Sequence, residues 1–266
     1  MRTRLLPLGI PLVMLAAAAC SDSTTGAVSL ALSTARPVGA PLAASAPWAV
    51  SAAPQVTTAG DSTVIVLGND TIILRSVELV VREIELERVE TAQCDDITDN
   101  DDCEKFETGP VLVSLPLGAT ATETEITVDA PAAMYNELEF EIHKPDDLGD
   151  AAFIAAHPAF AGVSIRVTGT FSKAGTRTDF TYTTDLNEQQ EIALDPPITV
   201  VEGSATNVTL RLDIARWFVN GTALVDPATA NKGGLNENLV RDNIRVSIDA
   251  FRDNDRDGHD DDNEGT

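Results

Sequence analysis

Beyond Gly60 the apolar residues recur mostly every second position, and that period commits the chain to β-structure. Thr63–Leu67, the turn Gly68-Asn69-Asp70, and Thr71–Arg75 read as a hairpin. In Val77–Val89 the apolar positions are 77, 79 and 81, then 84 and 86, then 89. The phase slips between 81 and 84, which predicts a bulge in a long strand or two strands meeting at a bend. Val111–Leu115, Glu125–Val128 and Leu138–Ile142 follow, then Val163–Phe171, Asp179–Thr184, Glu191–Leu194, Asn207–Ile214 and Ile244–Phe251. Leu138, Phe140 and Ile142 share one face of their strand, with Glu137, Glu139 and Glu141 on the other. One helix stands out: Asp150 is placed to cap Ala151–Ala156, and Pro158 stops it. Many short strands separated by Gly, Pro, Asn and Asp turns predict an all-β fold, an antiparallel β-sandwich of immunoglobulin or prealbumin type with one short helix.

Residues 1–19 read as an export signal. Arg2 and Arg4 precede an apolar run, Leu5–Leu15, that Pro7 and Pro11 interrupt and that is too short to span a bilayer. The small residues Ala16–Ala19 leading to Cys20 resemble the lipobox of bacterial lipoproteins. That resemblance implies a diacylated Cys20 as the first mature residue, with Ser21 after it pointing to the outer membrane. The other reading is a plain signal peptide cut at Ala17–Ala19, with Cys20 incidental. From Ser21 to Gly60, 29 of 40 residues are Ala, Ser, Thr, Pro or Gly, so residues 20–60 read as a tether containing one candidate strand, 26–32. The β-sandwich is expected over 61–252 and an acidic tail over 253–266.

Charge narrows the partners. Forty-two Asp and Glu against 18 Lys and Arg leave a net charge of −24, which repels phosphate backbones, excludes nucleic acid as a natural partner, and attracts cations. Three Cys and three His are too few for a disulfide-rich scaffold or a multi-histidine metal enzyme.

The order of several segments resembles the DUF4382 family of bacterial exported lipoproteins. The segments are Gly26–Leu32, Leu74–Glu87, Val111–Leu115 with Gly118, Ile126–Ile142 including Ala130-Pro-Ala-Ala-Met-Tyr135, and Val208–Val219. Ala133 stands where that family has Gly. The resemblance spans most of residues 26–226 and implies an exported β-sandwich with no assigned activity.

The strongest chemical motif is Asp253–Glu264. Numbered from Asp253, acids occupy positions 1, 3, 5, 9 and 12, with Gly258 at 6. Asp253, Asp255, Asp257, the carbonyl of His259, Asp261 and bidentate Glu264 give the ligand spacing of a twelve-residue Ca²⁺ loop. Alternate aspartates direct short carboxylates inward, and Gly allows the reversal. Asp260 replaces the aliphatic residue of helix-flanked loops, and the segment before Asp253 alternates like a strand. The loop therefore resembles the Asp-rich loops of extracellular modules, with an expected dissociation constant of about 10⁻⁴–10⁻³ M. The competing reading is a solvated acidic tail with no specific ion. In an exported protein, Cys94 and Cys103 are expected to be bridged, closing an acidic loop and contributing about 2–3 kcal/mol.

The signatures G-x-S-x-G, H-E-x-x-H and G-x-x-x-x-G-K-[ST] do not occur in the chain. His143 and His157 read as structural. Trp217 and Phe218 read either as a sugar-stacking platform or as aromatics that plug an end of the sandwich. The expectation is a non-enzymatic envelope lipoprotein with weak Ca²⁺ binding. The alternatives are an exported carbohydrate-binding module or a carboxylate-based glycan hydrolase.

Overall fold

The computed structural model describes residues 25–34, 54–89, 105–106, 109–118, 124–146 and 148–252. The fold is all-β, built on two sheets that enclose one continuous apolar core.

The smaller sheet has four strands in the order β15-β12-β1-β7, namely Ile248–Arg252, Ala205–Leu212, Thr25–Ser33 and Thr124–Pro131. The chain's first strand is thus interior. It pairs antiparallel with β7 and parallel with β12, a parallel ladder inside a sheet expected to be antiparallel throughout. Val28, Leu30 and Leu32 fill the core, while Ser29, Ala31 and Ser33 are also buried. A strand covered on both faces needs small residues on one of them, which is how it comes to lie within an Ala/Ser-rich stretch.

The larger sheet is organised by β4, Asp70–Arg88, a 19-residue strand. The hairpin before it is as expected: β3, Ser62–Leu67, returns through a turn in which Gly68 has φ 62°, a left-handed backbone suited to glycine. Outside β3 runs the exposed edge strand β2, Gln55–Ala59. Along its other edge β4 pairs first with β9, Ile165–Lys173, and then with β8, Met134–Ile142. The bulge between Val81 and Glu83 marks the change of partner, so the phase slip at 81–84 is the signature of one strand leaving one neighbour for another. A second bulge, between Leu74 and Ser76, joins what the alternation divides into two strands at Arg75. Shorter strands β5, Lys105–Phe106, and β6, Val111–Ser114, complete the first edge of β4. Beyond β9 lies β10, Thr176–Thr184, and beyond β8 lies β11, Glu188–Thr199.

Helix α1, Ala151–Ala156, forms where expected and gives way to a 3₁₀ turn starting at Pro158. Asp150 does not cap it: its Oδ2 instead accepts from the backbone N–H of Asp146 at 2.7 Å and lies 3.5 Å from Nε of Arg82. A second helix, α2, spans Glu237–Arg245, so the expected strand from Ile244 begins only at Ile248. Val240 and Ile244, one turn apart, are buried, whereas Val246 is 61% exposed. Half of the apparent alternation over 244–251 was therefore helical periodicity. A miniature hairpin of β13, Val219–Asn220, and β14, Ala223–Leu224, precedes it.

Candidate functional site

Trp217 and Phe218 are 0% and 1% exposed, which corrects the reading of this pair as a ligand platform. They follow β12 and turn inward. Trp217 Nε1 donates to Ser247 Oγ at 2.8 Å, and that hydroxyl donates to the carbonyl of Ile244 at 2.6 Å. Asn243 Nδ2 donates to the carbonyls of Trp217 and Val219. Phe218 meets Tyr182 edge-on, centroids 5.3 Å apart, and Phe180 at 6.1 Å. Burial pushes the Tyr182 phenol up to about 12. Apolar contact explains the pair fully: a large aromatic after a strand end closes the core beneath α2.

α2 is clamped to the sheet by charge. Asp185, just after β10, accepts from Lys232 Nζ and from Arg241 Nη1, each at 2.7 Å. Glu188 accepts from Arg245 Nε at 2.6 Å. The hydrogen bond from Lys232, with that from Arg241, lowers the Asp185 carboxyl to about 2 against opposing burial. A depressed carboxylate stabilises the fold above its unfolded pKa and loses that contribution as pH falls. Asp185→Asn is therefore expected to cost roughly 1–2 kcal/mol at pH 6, after allowance for the solvent-exposed Lys232. The gap should close between about pH 4 and pH 2, where the native Asp185 also becomes neutral. Urea titrations of both proteins at pH 6 and pH 2.5 test it, and an equal gap at the two pH values would refute the assignment.

The strand acids stand beside one another. Glu141, Glu139 and Glu137 of β8 lie opposite Glu83, Glu85 and Glu87 of β4, and Glu139 also lies opposite Glu191 of β11. Partners in an antiparallel ladder share a face, and Leu138, Phe140, Ile84 and Leu86 occupy the other, in the core. Gln189 Nε2 donates to Glu139 from the neighbouring strand. A glycosidase requires two carboxyls facing each other across a bound sugar, one with a raised pKa. Among the described residues, the carboxyls of Asp179 and Asp185 are both lowered, Asp179 chiefly through hydrogen bonds from Thr170 and Arg75. His143 follows β8, and His157 closes α1 against Phe153, ring centroids 4.8 Å apart.

Cys20, Cys94, Cys103 and the calcium-type set Asp253, Asp255, Asp257, His259, Asp261 and Glu264 lie outside the described residues. Among the described residues no cluster of three metal-ligating side chains occurs, and no helix is long and apolar enough to cross a membrane.

The attachment points of these three segments are described, and those of the N-terminal segment and the Cys94–Cys103 segment meet at one end of the domain. Thr25, five residues after Cys20, pairs with Pro131, and its carbonyl accepts from the N–H of Gly203. The β7–β8 turn joins the β11–β12 turn there, because Val200 N–H donates to the carbonyl of Ala133. Val89, where the chain departs toward Cys94, donates its N–H to the carbonyl of Met134, and Lys105 returns opposite Glu87. β15 runs antiparallel to β12, and β12 runs parallel to β1, so Arg252 stands opposite Val208, level with Leu30 in the middle of β1. Gly26 is required at the start of β1, since a Cβ would lie 2.4 Å from the carbonyl oxygen of Val201. Sequence gives no sign of this convergence, which depends on the pairing of strands over 170 residues apart. A scan against family models and searches of curated proteins and of solved structures give no match to the chain.

Proposed function

We propose that the protein is an exported lipoprotein, held to the bacterial outer membrane by acylated Cys20, whose β-sandwich serves binding or envelope organisation without catalysis. The DUF4382-like order of its segments agrees with this reading. The observation that carries it is the leader pattern: Arg2 and Arg4, the short apolar run Leu5–Leu15, and Ala16–Ala19 immediately before Cys20. The acidic loop Asp253–Glu264 takes Ca²⁺ weakly through Asp253, Asp255, Asp257, the His259 carbonyl, Asp261 and Glu264, and Cys94 is bridged to Cys103.

Mass spectrometry of the protein purified from envelopes tests the anchor. An N-terminal peptide starting at Cys20 with added acyl mass is expected, and an intact Met1 or an unmodified Cys20 refutes it. Calorimetric titration with Ca²⁺ tests the loop. Binding with a dissociation constant of about 10⁻⁴–10⁻³ M is expected, lost in Asp253→Asn/Asp257→Asn. Equal heats from the native protein and the double variant refute the site.

A further inference from the structure

From the geometry at the start of β1 we infer that the β7–β8 and β11–β12 turns form a bilayer-facing tip that seats Met134 and Val201 in the headgroup region of the membrane. The inference rests on the proposed acylation of Cys20.

Chain length is the first reason. Five Cα steps separate Cys20 from Thr25, a span of about 18 Å at full extension. The nine-residue β1 is itself about 30 Å long. Acyl chains in the bilayer therefore hold the start of β1 within about 18 Å of the headgroups. The composition of residues 20–60 suggests a long leash, but the leash ends at Thr25, because the strand that follows is locked between β7 and β12.

The second reason is what the tip presents. Met134 is 49% exposed and Val201 is 53% exposed. Met134 opens β8 and Val201 lies in the β11–β12 turn, and the Val200–Ala133 hydrogen bond joins the two segments beside exposed Ala132. Their neighbours are otherwise polar or small, with Glu202, Gly203 and Ser204 exposed in the same turn. Two apolar side chains are too few to bind a membrane unaided, but the lipid supplies the affinity and the side chains only need to settle. Leu148 and Leu235 are more exposed still, at 91% and 94%, and Val56 and Val246 stand at 49% and 61%, so chain length rather than exposure selects this tip.

The occupant is a surface poor in negative charge. The Asp-rich segment that leaves after Val89 joins the domain at this end, and Glu202 adds a carboxylate, so anionic headgroups repel it. Apolar insertion, rather than electrostatic attraction, makes the contact.

The test places single tryptophans at Met134→Trp, Val201→Trp and, as a control, Leu235→Trp in the loop before α2. α2 itself packs at the other end of β12, through the hydrogen bond from Asp213 N–H to the Ser247 carbonyl. Each acylated protein, purified from membranes, is reconstituted in phosphatidylcholine vesicles with brominated acyl chains. The emission added at 134 and 201 should be quenched at least twofold more than that added at 235. Adding anionic phosphatidylglycerol should reduce the difference. Equal quenching at all three positions in protein that is acylated and floats with the vesicles overturns the tip alone. Protein without acyl mass on Cys20 overturns the anchor reading and the tip with it.

Discussion

Trp217→Ala is expected to lower the unfolding free energy by about 3–5 kcal/mol, the range for truncating a fully buried aromatic. Its side chain is wholly enclosed, and the variant also removes the indole donor of the Ser247 hydroxyl, which keeps only its bond to the Ile244 carbonyl. With a urea dependence of about 2–3 kcal/mol per molar for a domain of this size, the midpoint should fall by about 1–2 M. Trp217→Phe keeps most of the packing and loses the indole N–H, for which about 1–2 kcal/mol is expected. A solvent-exposed stacking residue behaves differently, because its removal leaves stability within about 0.5 kcal/mol. A midpoint shift that small would reinstate Trp217 and Phe218 as a ligand surface.

Gly169→Ala is expected to cost about 3 kcal/mol or more, at the upper end for forcing atoms into a packed interior. Gly169 lies in β9 between Leu74 of β4 and Phe180 of β10. An added Cβ would stand 2.1 Å from the carbonyl oxygen of Ile73 and 2.9 Å from the Phe180 ring. The ring can swing aside, but the carbonyl belongs to the backbone of β4, beside its first bulge, so the two strands must part. Gly175→Ala is the matched control. Gly175 has φ 82° with open space around it, so the cost there is conformational and about 1–2 kcal/mol. Thermal and urea unfolding of both variants should separate the two costs, and equal losses would show that the close approach at Gly169 is relieved without parting the strands.

Some of this fold can be read directly from residues. The β3–β4 hairpin follows from alternation on either side of Gly68-Asn69, and both signals are local. The bulge at Val81/Glu83 is visible as a slipped phase, since a bulge adds one residue to the count between buried positions. α2 is harder to see. Only Val240 and Ile244 of its residues are buried, and two apolar positions one turn apart do not separate a helix from a strand. What holds α2 is a set of remote partners: Asp185, Glu188, and the carbonyls of Trp217 and Val219. Leu30 and Leu32 alternate within the Ala/Ser-rich region, yet nothing nearby announces that their strand is interior.

Residue order alone thus settled the all-β class, the positions of most strands, and the placement of the cysteines and acids along the chain. These follow from periodicity and turn chemistry, which act over a few neighbours. Strand partners, the burial of Trp217, and the meeting of the N-terminal and Val89 exits at the start of β1 were decided only by the folded whole. Their cause is the removal of apolar surface from water, a non-directional drive that marks which residues are buried but not which partner covers them.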